Sequence, residues 1–239
     1  MSADRIKTGI KTLDEILDGG IPKGHVILVA GSCGTGKTTL VQQILFDGAK
    51  NNNEVGIYIS MSEEREKLIR NLEGFTFFDK KLIDTGQIRI IDISQDARLM
   101  GINMQNVQGL LNLIRSVVEE NNAKRVVIDS ITALCEALKE PEKIRDFIFE
   151  LGMQLAYSGC TTFLISEIPP QTFVYSVFGI EEFISDGVLL LTEFERKGEL
   201  LRALQVIKMR GVKHSRNKYV LKILEDGINL VPMFKAGEV

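Results

Sequence analysis

Tryptophan is absent from this 239-residue chain, histidine occurs twice (His25, His214) and cysteine three times (Cys33, Cys135, Cys160). Widely spaced cysteines with no CxxC or HExxH spacing exclude a disulfide scaffold and support no zinc site. Aromatics make up only 7% of residues, so no extended platform for stacking bases is expected. The five prolines form no Pro/Gly/Ser-rich tract, so residues 1–239 are expected to form a single domain. No apolar run approaches the ~18–20 residues that span a bilayer, and no membrane insertion is expected. The opening residues Met-Ser-Ala-Asp-Arg lack a charged-then-apolar leader, which makes a cytoplasmic location the expectation. Lys+Arg 29 against Asp+Glu 32 leaves a net charge of -3, which rules out a strongly basic nucleic-acid coat.

What the chain does contain is an alternation of apolar strand-length runs with amphipathic stretches. Val26–Ala30, Gly56–Ser60, Ile88–Ile91, Val126–Ile128 and Thr161–Ile165 read as strands. Helices are expected from about Lys37, from Glu63 to Glu73, from Asn106 to Asn121 and from Pro141 to Tyr157. Continuous β-branched runs joined by helices predict an α/β fold with a mostly parallel sheet covered on both faces. Farther on, Gly187–Phe194, Leu200–Arg210, Tyr219–Leu224 and Ile228–Val231 are separated by hairpin signals, Glu195-Arg196-Lys197-Gly198 and Asp226-Gly227. They predict a C-terminal antiparallel extension of the sheet.

The strongest motif is Gly31-Ser32-Cys33-Gly34-Thr35-Gly36-Lys37-Thr38, a complete GxxxxGK[ST] phosphate loop between a strand and a helix. Its glycines let successive amides converge on phosphate oxygens, and the helix N-terminus adds positive potential. Lys37 is the residue for the β- and γ-phosphates, Thr38 a ligand for Mg2+, and Thr39 lies near the α-phosphate position. Cys33 occupies a position of the loop that any small residue fills.

A phosphate loop needs a second group for the metal. Asp129 directly follows the apolar run Val126–Ile128, at the strand edge where open α/β sheets bind ligands. Hydrolysis also needs a group to activate water, and Glu63 and Glu64 follow the Gly56–Ser60 strand at the same edge. The segment Ser60-Met61-Ser62-Glu63 equally fits a capping box in which Glu63 bonds back to the Ser60 amide.

These residues resemble a known family. Thr8-Gly9-Ile10-Lys11-Thr12-Leu13-Asp14, Gly19–Gly24 and the loop are similar to the opening of RecA-superfamily ATPases. Tyr58–Glu64, Glu181–Asp186 and Lys208–His214 resemble segments of its KaiC-like branch, in order, over about Thr8 to Pro232. The resemblance implies a RecA-like core and a hexameric ring with ATP between subunits. One subunit would offer the loop (Ser32 to Thr39), Glu63 and Asp129. The next would offer Lys208, Met209 and Arg210, with His214 and Arg216 approaching the nucleotide and Glu225 approaching the base. Lys208 and Arg210 lie two apart on a strand, so both would point to one face. Where the autophosphorylating half of two-domain KaiC has adjacent hydroxyl residues, this chain has Glu182 and Phe183, so a slow ATPase rather than self-phosphorylation is implied.

Two other functions compete. A DNA-recombination accessory protein would carry mobile basic loops, yet Ile168–Phe194 contains no Lys or Arg. Lys139, Lys143 and Arg145 form only a small basic cluster elsewhere. An ATP-dependent assembly switch with little turnover, docking on an unidentified protein partner, is the third reading; the retained Glu63-Glu64 pair favours turnover.

Overall fold

The computed structural model describes residues 4–233 except 62, 94, 96–100, 102, 104, 105, 137 and 173. The chain enters through β1 (Arg5–Ile6), α1 (Lys11–Ile16) and β2 (Ile21–Pro22). The main sheet starts with β3 (Val26–Gly31); α2 (Lys37–Asn52) leads to β4 (Gly56–Ser60). Next come α3 (Arg65–Leu72), α4 (Lys80–Asp84), β5 (Ile88–Asp92), α5 (Val107–Glu120) and β6 (Arg125–Asp129). They are followed by α6 (Ile131–Glu136), α7 (Pro141–Tyr157), β7 (Thr161–Glu167), α8 (Glu181–Ile184) and β8 (Gly187–Arg196). Last among the described elements are β9 (Glu199–Met209), β10 (Lys218–Leu224) and β11 (Gly227–Pro232).

Among the described residues these strands form a nine-stranded sheet in the order β11-β10-β9-β8-β3-β7-β6-β4-β5. The strands from β8 to β5 are parallel, and β9, β10 and β11 each pair antiparallel with a neighbour. The expected fold class is therefore observed. In the hairpin between β8 and β9, Lys197 and Gly198 both take positive φ (53° and 79°), the geometry that follows strand twist in a two-residue turn.

Alternate residues of the parallel strands enter two separate cores. Ile27, Val29, Tyr58, Val127, Phe163 and Ile165 pack toward Leu40 and Ile44 of α2. Leu28, Ala30, Ile57, Ile59, Ile128 and Leu164 pack toward Leu110 and Ile114 of α5 and Phe147 and Leu151 of α7. A side-chain period of two with both faces covered is why these strands read as unbroken apolar runs. α5 is capped by the Asn106 side chain, which accepts from the Gly109 amide at 3.1 Å.

One charge sits inside this frame. Arg125, at the start of β6, is 0% exposed. Its Nε donates to Glu54 at 2.6 Å, and its Nη1 donates to the carbonyls of Lys7 (2.8 Å) and Ile44 (2.6 Å). Gly48 of α2 admits the guanidinium, since a Cβ there would stand 2.3 Å from Nε. Arg125→Ala would strand the largely buried carboxylates of Glu54 and Asp47, so we expect a loss of about 3–5 kcal/mol in urea unfolding. A loss below about 1 kcal/mol would mean that water reaches these acids as readily as the arginine does.

Candidate functional site: a phosphate loop at the carboxyl edge of the sheet

Four neighbouring strands, β3, β7, β6 and β4, end side by side, and their carboxyl ends carry the polar groups. Gly31 is in register with Glu167, and Ser60 with Asp129. The loop leaves β3 at this edge. Gly34 and Gly36 take positive φ (81° and 97°), which an L side chain resists. Gly31 is required for space, because a Cβ would lie 2.6 Å from the Leu191 carbonyl and 2.7 Å from Thr35 Oγ1. Thr35 Oγ1 donates to the Ser32 carbonyl at 2.8 Å and stiffens the turn. Ser32, Thr35 and Lys37 are buried, whereas Cys33 and Gly34 are exposed.

α2 begins at Lys37 with Gly36 as its cap and no side chain bonded to its first amides. The first-turn N–H groups of a helix lack intrahelical acceptors, so this end is open to an anion. Lys37 is 6% exposed and its Nζ donates to the Ser32 carbonyl at 2.9 Å. Burial pushes its ammonium below the usual lysine range, while the negative charges of Glu167 and Asp129 hold it up. Thr38 Oγ1 donates to Asp129 Oδ2 at 3.0 Å, and the Tyr58 hydroxyl donates to the same oxygen. Burial raises the Asp129 carboxyl above the ordinary carboxylate range, and the Tyr58 and Thr38 donors oppose that shift. Tyr58 itself is pushed well up, first by burial and then by the Asp129 charge.

The two glutamates separate. Ser60 Oγ accepts from the Glu63 amide at 3.1 Å and donates to its carbonyl at 2.7 Å, closing a tight turn. Helix α3 consequently starts at Arg65 rather than Glu63. Only half of the anticipated capping box exists: the Glu63 carboxylate pairs with Lys67 at 3.0 Å instead of reaching back to Ser60. Ser62 lies outside the described residues. Glu63 is close enough to the site for its charge to act on Tyr58. Glu64 stands at the N-cap position of α3 without a side-chain cap bond and lines a different cavity, shared with Arg65, Glu66 and Asp92.

The cationic pair predicted after β8 sits at the opposite edge. Lys208 Nζ donates to the carbonyls of Glu182 (3.0 Å) and Ser185 (2.5 Å), covering the C-terminal end of α8. Burial and the Arg210 charge lower its ammonium below the usual range. Arg210 donates to Asp186 Oδ1 at 3.1 Å and to the Phe183 carbonyl at 3.3 Å. Both therefore turn to one side. Asp186 accepts from the Val26 amide at 3.1 Å, which anchors the group at the amino end of β3. The loop starts five residues along, about 17 Å away at ~3.3 Å per residue. Within one chain, Arg210 and the loop cannot meet.

Met209 is 4% exposed, and its Sδ and Cε fill the space a Gly187 Cβ would take, so its side chain belongs to the core. His214 and Arg216 flank Ser215, whose amide donates to the Ile16 carbonyl of α1 at 3.2 Å, and the Arg216 carbonyl accepts from the Gln205 side chain at 2.7 Å. Glu225 occupies the β10–β11 turn, on the loop side: the neighbouring Leu221 and Ile223 lie against Gly36. Thr39 is half-buried in the first turn of α2.

Three residues of this edge escaped the sequence analysis. Glu167 is an acid directly after an apolar strand, the same signal that marked Asp129. Tyr58 is the one phenol in its strand and was open to the question of what its hydroxyl meets. Arg202, whose Nε donates to the Gly34 carbonyl at 2.7 Å, reaches the loop only through the pairing of β9 with β8 and left no local signal.

With this geometry, the comparisons with known proteins agree. The family model described as "ATPase: KaiC" matches residues 6–234. The circadian clock oscillator protein KaiC of Parathermosynechococcus lividus is 32% identical over 228 residues, covering 95% of this chain and 42% of that protein. The chain thus spans less than half the length of the clock relatives it matches. A UPF0273 protein of Pyrococcus horikoshii is 34% identical over 98% of both chains. The crystal structure of a KaiC-like protein from the same archaeon superposes with a TM-score of 0.85 at 37% identity, covering 96% of this chain and all of the other. A complete phosphate loop, a RecA-type sheet order and a family match over nearly the whole sequence lead to one conclusion: this chain belongs to the KaiC-like family of ATPases.

Proposed function

We propose that the protein binds ATP with Mg2+ and hydrolyses it slowly, at sites completed by a neighbouring copy in a head-to-tail ring, as a regulatory or signalling ATPase. One observation carries the reading: a buried lysine, an uncapped helix N-terminus and a Thr38–Asp129 pair converge on one strand edge. The donors fit the metal, because a hydroxyl and a carboxylate are hard oxygen ligands and Mg2+ is commonly held by one or two such groups plus substrate phosphates. Bound there, Mg2+ supplies neutralisation of the phosphate charge. The loop amides and Lys37 hold the β- and γ-phosphates, and Thr38 and Asp129 hold the metal. Glu63 orients the attacking water and takes its proton, and Arg210 of the next copy braces the charge that develops on the γ-phosphate.

Two features support assembly. Arg210 is beyond reach of its own loop, as shown above. Beside it a cavity of about 800 Å³ is lined by Phe149, Met153, Phe183 and Ile184, three of whose side chains are largely exposed. Exposed apolar surface rimmed by a needed cation suits a subunit contact. Among the described residues, no helix is long and apolar enough to cross a membrane.

Light scattering with and without ATP·Mg2+, coupled to a phosphate-release assay, tests the reading. We expect nucleotide-dependent assembly and turnover that rises with protein concentration. A monomer hydrolysing at full rate would remove Lys208 and Arg210 from the site. The ion pair between Glu63 and Lys67 favours a second reading, an assembly switch in which the base is held back; assembly without phosphate release would select it.

A further inference from the structure

We propose that Tyr58 is a positioning residue for Asp129 and, through it, sets how much Mg2+ the site requires. The proposal rests on the ATP·Mg2+ reading above and adds a residue to it. Tyr58 is 2% exposed, its ring packed in the core beneath α2, so only its hydroxyl reaches the site. It stands in register with Val127 on the adjacent strand, two residues short of Asp129. Those two residues advance the strand by about 6.6 Å, which a phenol spans and a serine or threonine hydroxyl does not.

The hydroxyl and Thr38 Oγ1 both donate to Oδ2 of Asp129. Two donors on one oxygen leave the other oxygen for a metal-bound water and fix the rotation of a carboxylate whose terminal torsion is otherwise broad. Nor does this arrangement conflict with metal binding. Thr38 can keep its proton on Asp129 while its oxygen lone pair faces a cation, and the Tyr58 bond is undisturbed. Partners that orient metal-holding side chains in this way typically alter metal affinity 10–100-fold when removed.

A buried phenol needs an acceptor in any case. If Asp129 merely satisfied it, losing the hydroxyl would lower the melting temperature and leave the Mg2+ requirement alone. The test is therefore binding of a fluorescent ATP analogue to the full chain, titrated with MgCl2 and repeated in EDTA. For Tyr58→Phe we expect the Mg2+ midpoint to rise about tenfold while affinity in EDTA stays within about twofold of wild type. In an Asp129→Asn background the same substitution should move the midpoint no further. An unchanged midpoint in Tyr58→Phe, or additive effects in the double variant, would overturn the proposal while leaving the ATP·Mg2+ reading intact. Wild-type binding that ignores Mg2+ would overturn both.

Discussion

Lys37→Ala and Arg210→Ala should each lower ATP hydrolysis by about 10³-fold, and an equal mixture of the two should recover roughly a quarter of wild-type turnover. The first substitution removes the buried cation of the loop, and with it nucleotide affinity. The second leaves the loop untouched and removes a charge at the far end of β3. In a head-to-tail ring each site takes its loop from one copy and its arginine from the next. Mixed rings therefore contain sites in which an intact loop meets an intact arginine, although neither variant forms such a site alone. A loss of 10³ corresponds to about 4 kcal/mol of transition-state stabilisation, within the range of an arginine acting in trans. Phosphate release measured across the mixing ratio decides the matter, since a mixture no faster than its components would put both residues to work within one chain. The existing bonds of Arg210 do not prevent the role: two of its five donors are used, and its side chain is 55% exposed.

Glu63→Gln should cut turnover by about 10²-fold or more with ATP binding preserved, whereas Glu64→Gln should change it by no more than about threefold. The amide keeps the shape and the hydrogen-bonding reach of the carboxylate but cannot accept a proton. What separates the two residues is the turn made by Ser60, which Glu63 closes through its backbone, whereas Glu64 stands at the N-cap position of α3 and lines a separate cavity with Arg65, Glu66 and Asp92. Single-turnover phosphate release and equilibrium binding, read on the same preparations, check both halves. Full activity in Glu63→Gln would move the base to Glu167, the other acid on this edge whose charge reaches Lys37 and Asp129. A large loss in Glu64→Gln would contradict the geometry of the turn.

The parts of this molecule legible without a structure share one property: their information is local. The loop is written in eight consecutive residues, and its strand–turn–helix setting follows from neighbouring hydrophobicity. The central strands β3, β4, β6 and β7 announce themselves because both faces are buried and their middle residues are nearly all apolar. Pro141 and Asn106 mark helix starts through their own backbone chemistry. Helices α1, α4, α6 and α8, of four to six residues, are too short to establish a 3.6-residue period and were not anticipated.

What only the tertiary structure decided is everything that depends on which strand lies beside which. The order β3-β7-β6-β4 brings Lys37, Glu167, Asp129 and Tyr58 to one edge from positions up to 130 residues apart. The pairing of β9 with β8 sends Arg202 to the loop and Arg210 to the opposite end of the same sheet. Arg125 looked like an ordinary charged residue ahead of an apolar run; its burial follows from Gly48, Glu54 and Lys7, none adjacent to it in the chain. A side chain's type is set by its codon, but its dielectric surroundings and its partners are set by chain crossings that no local pattern records.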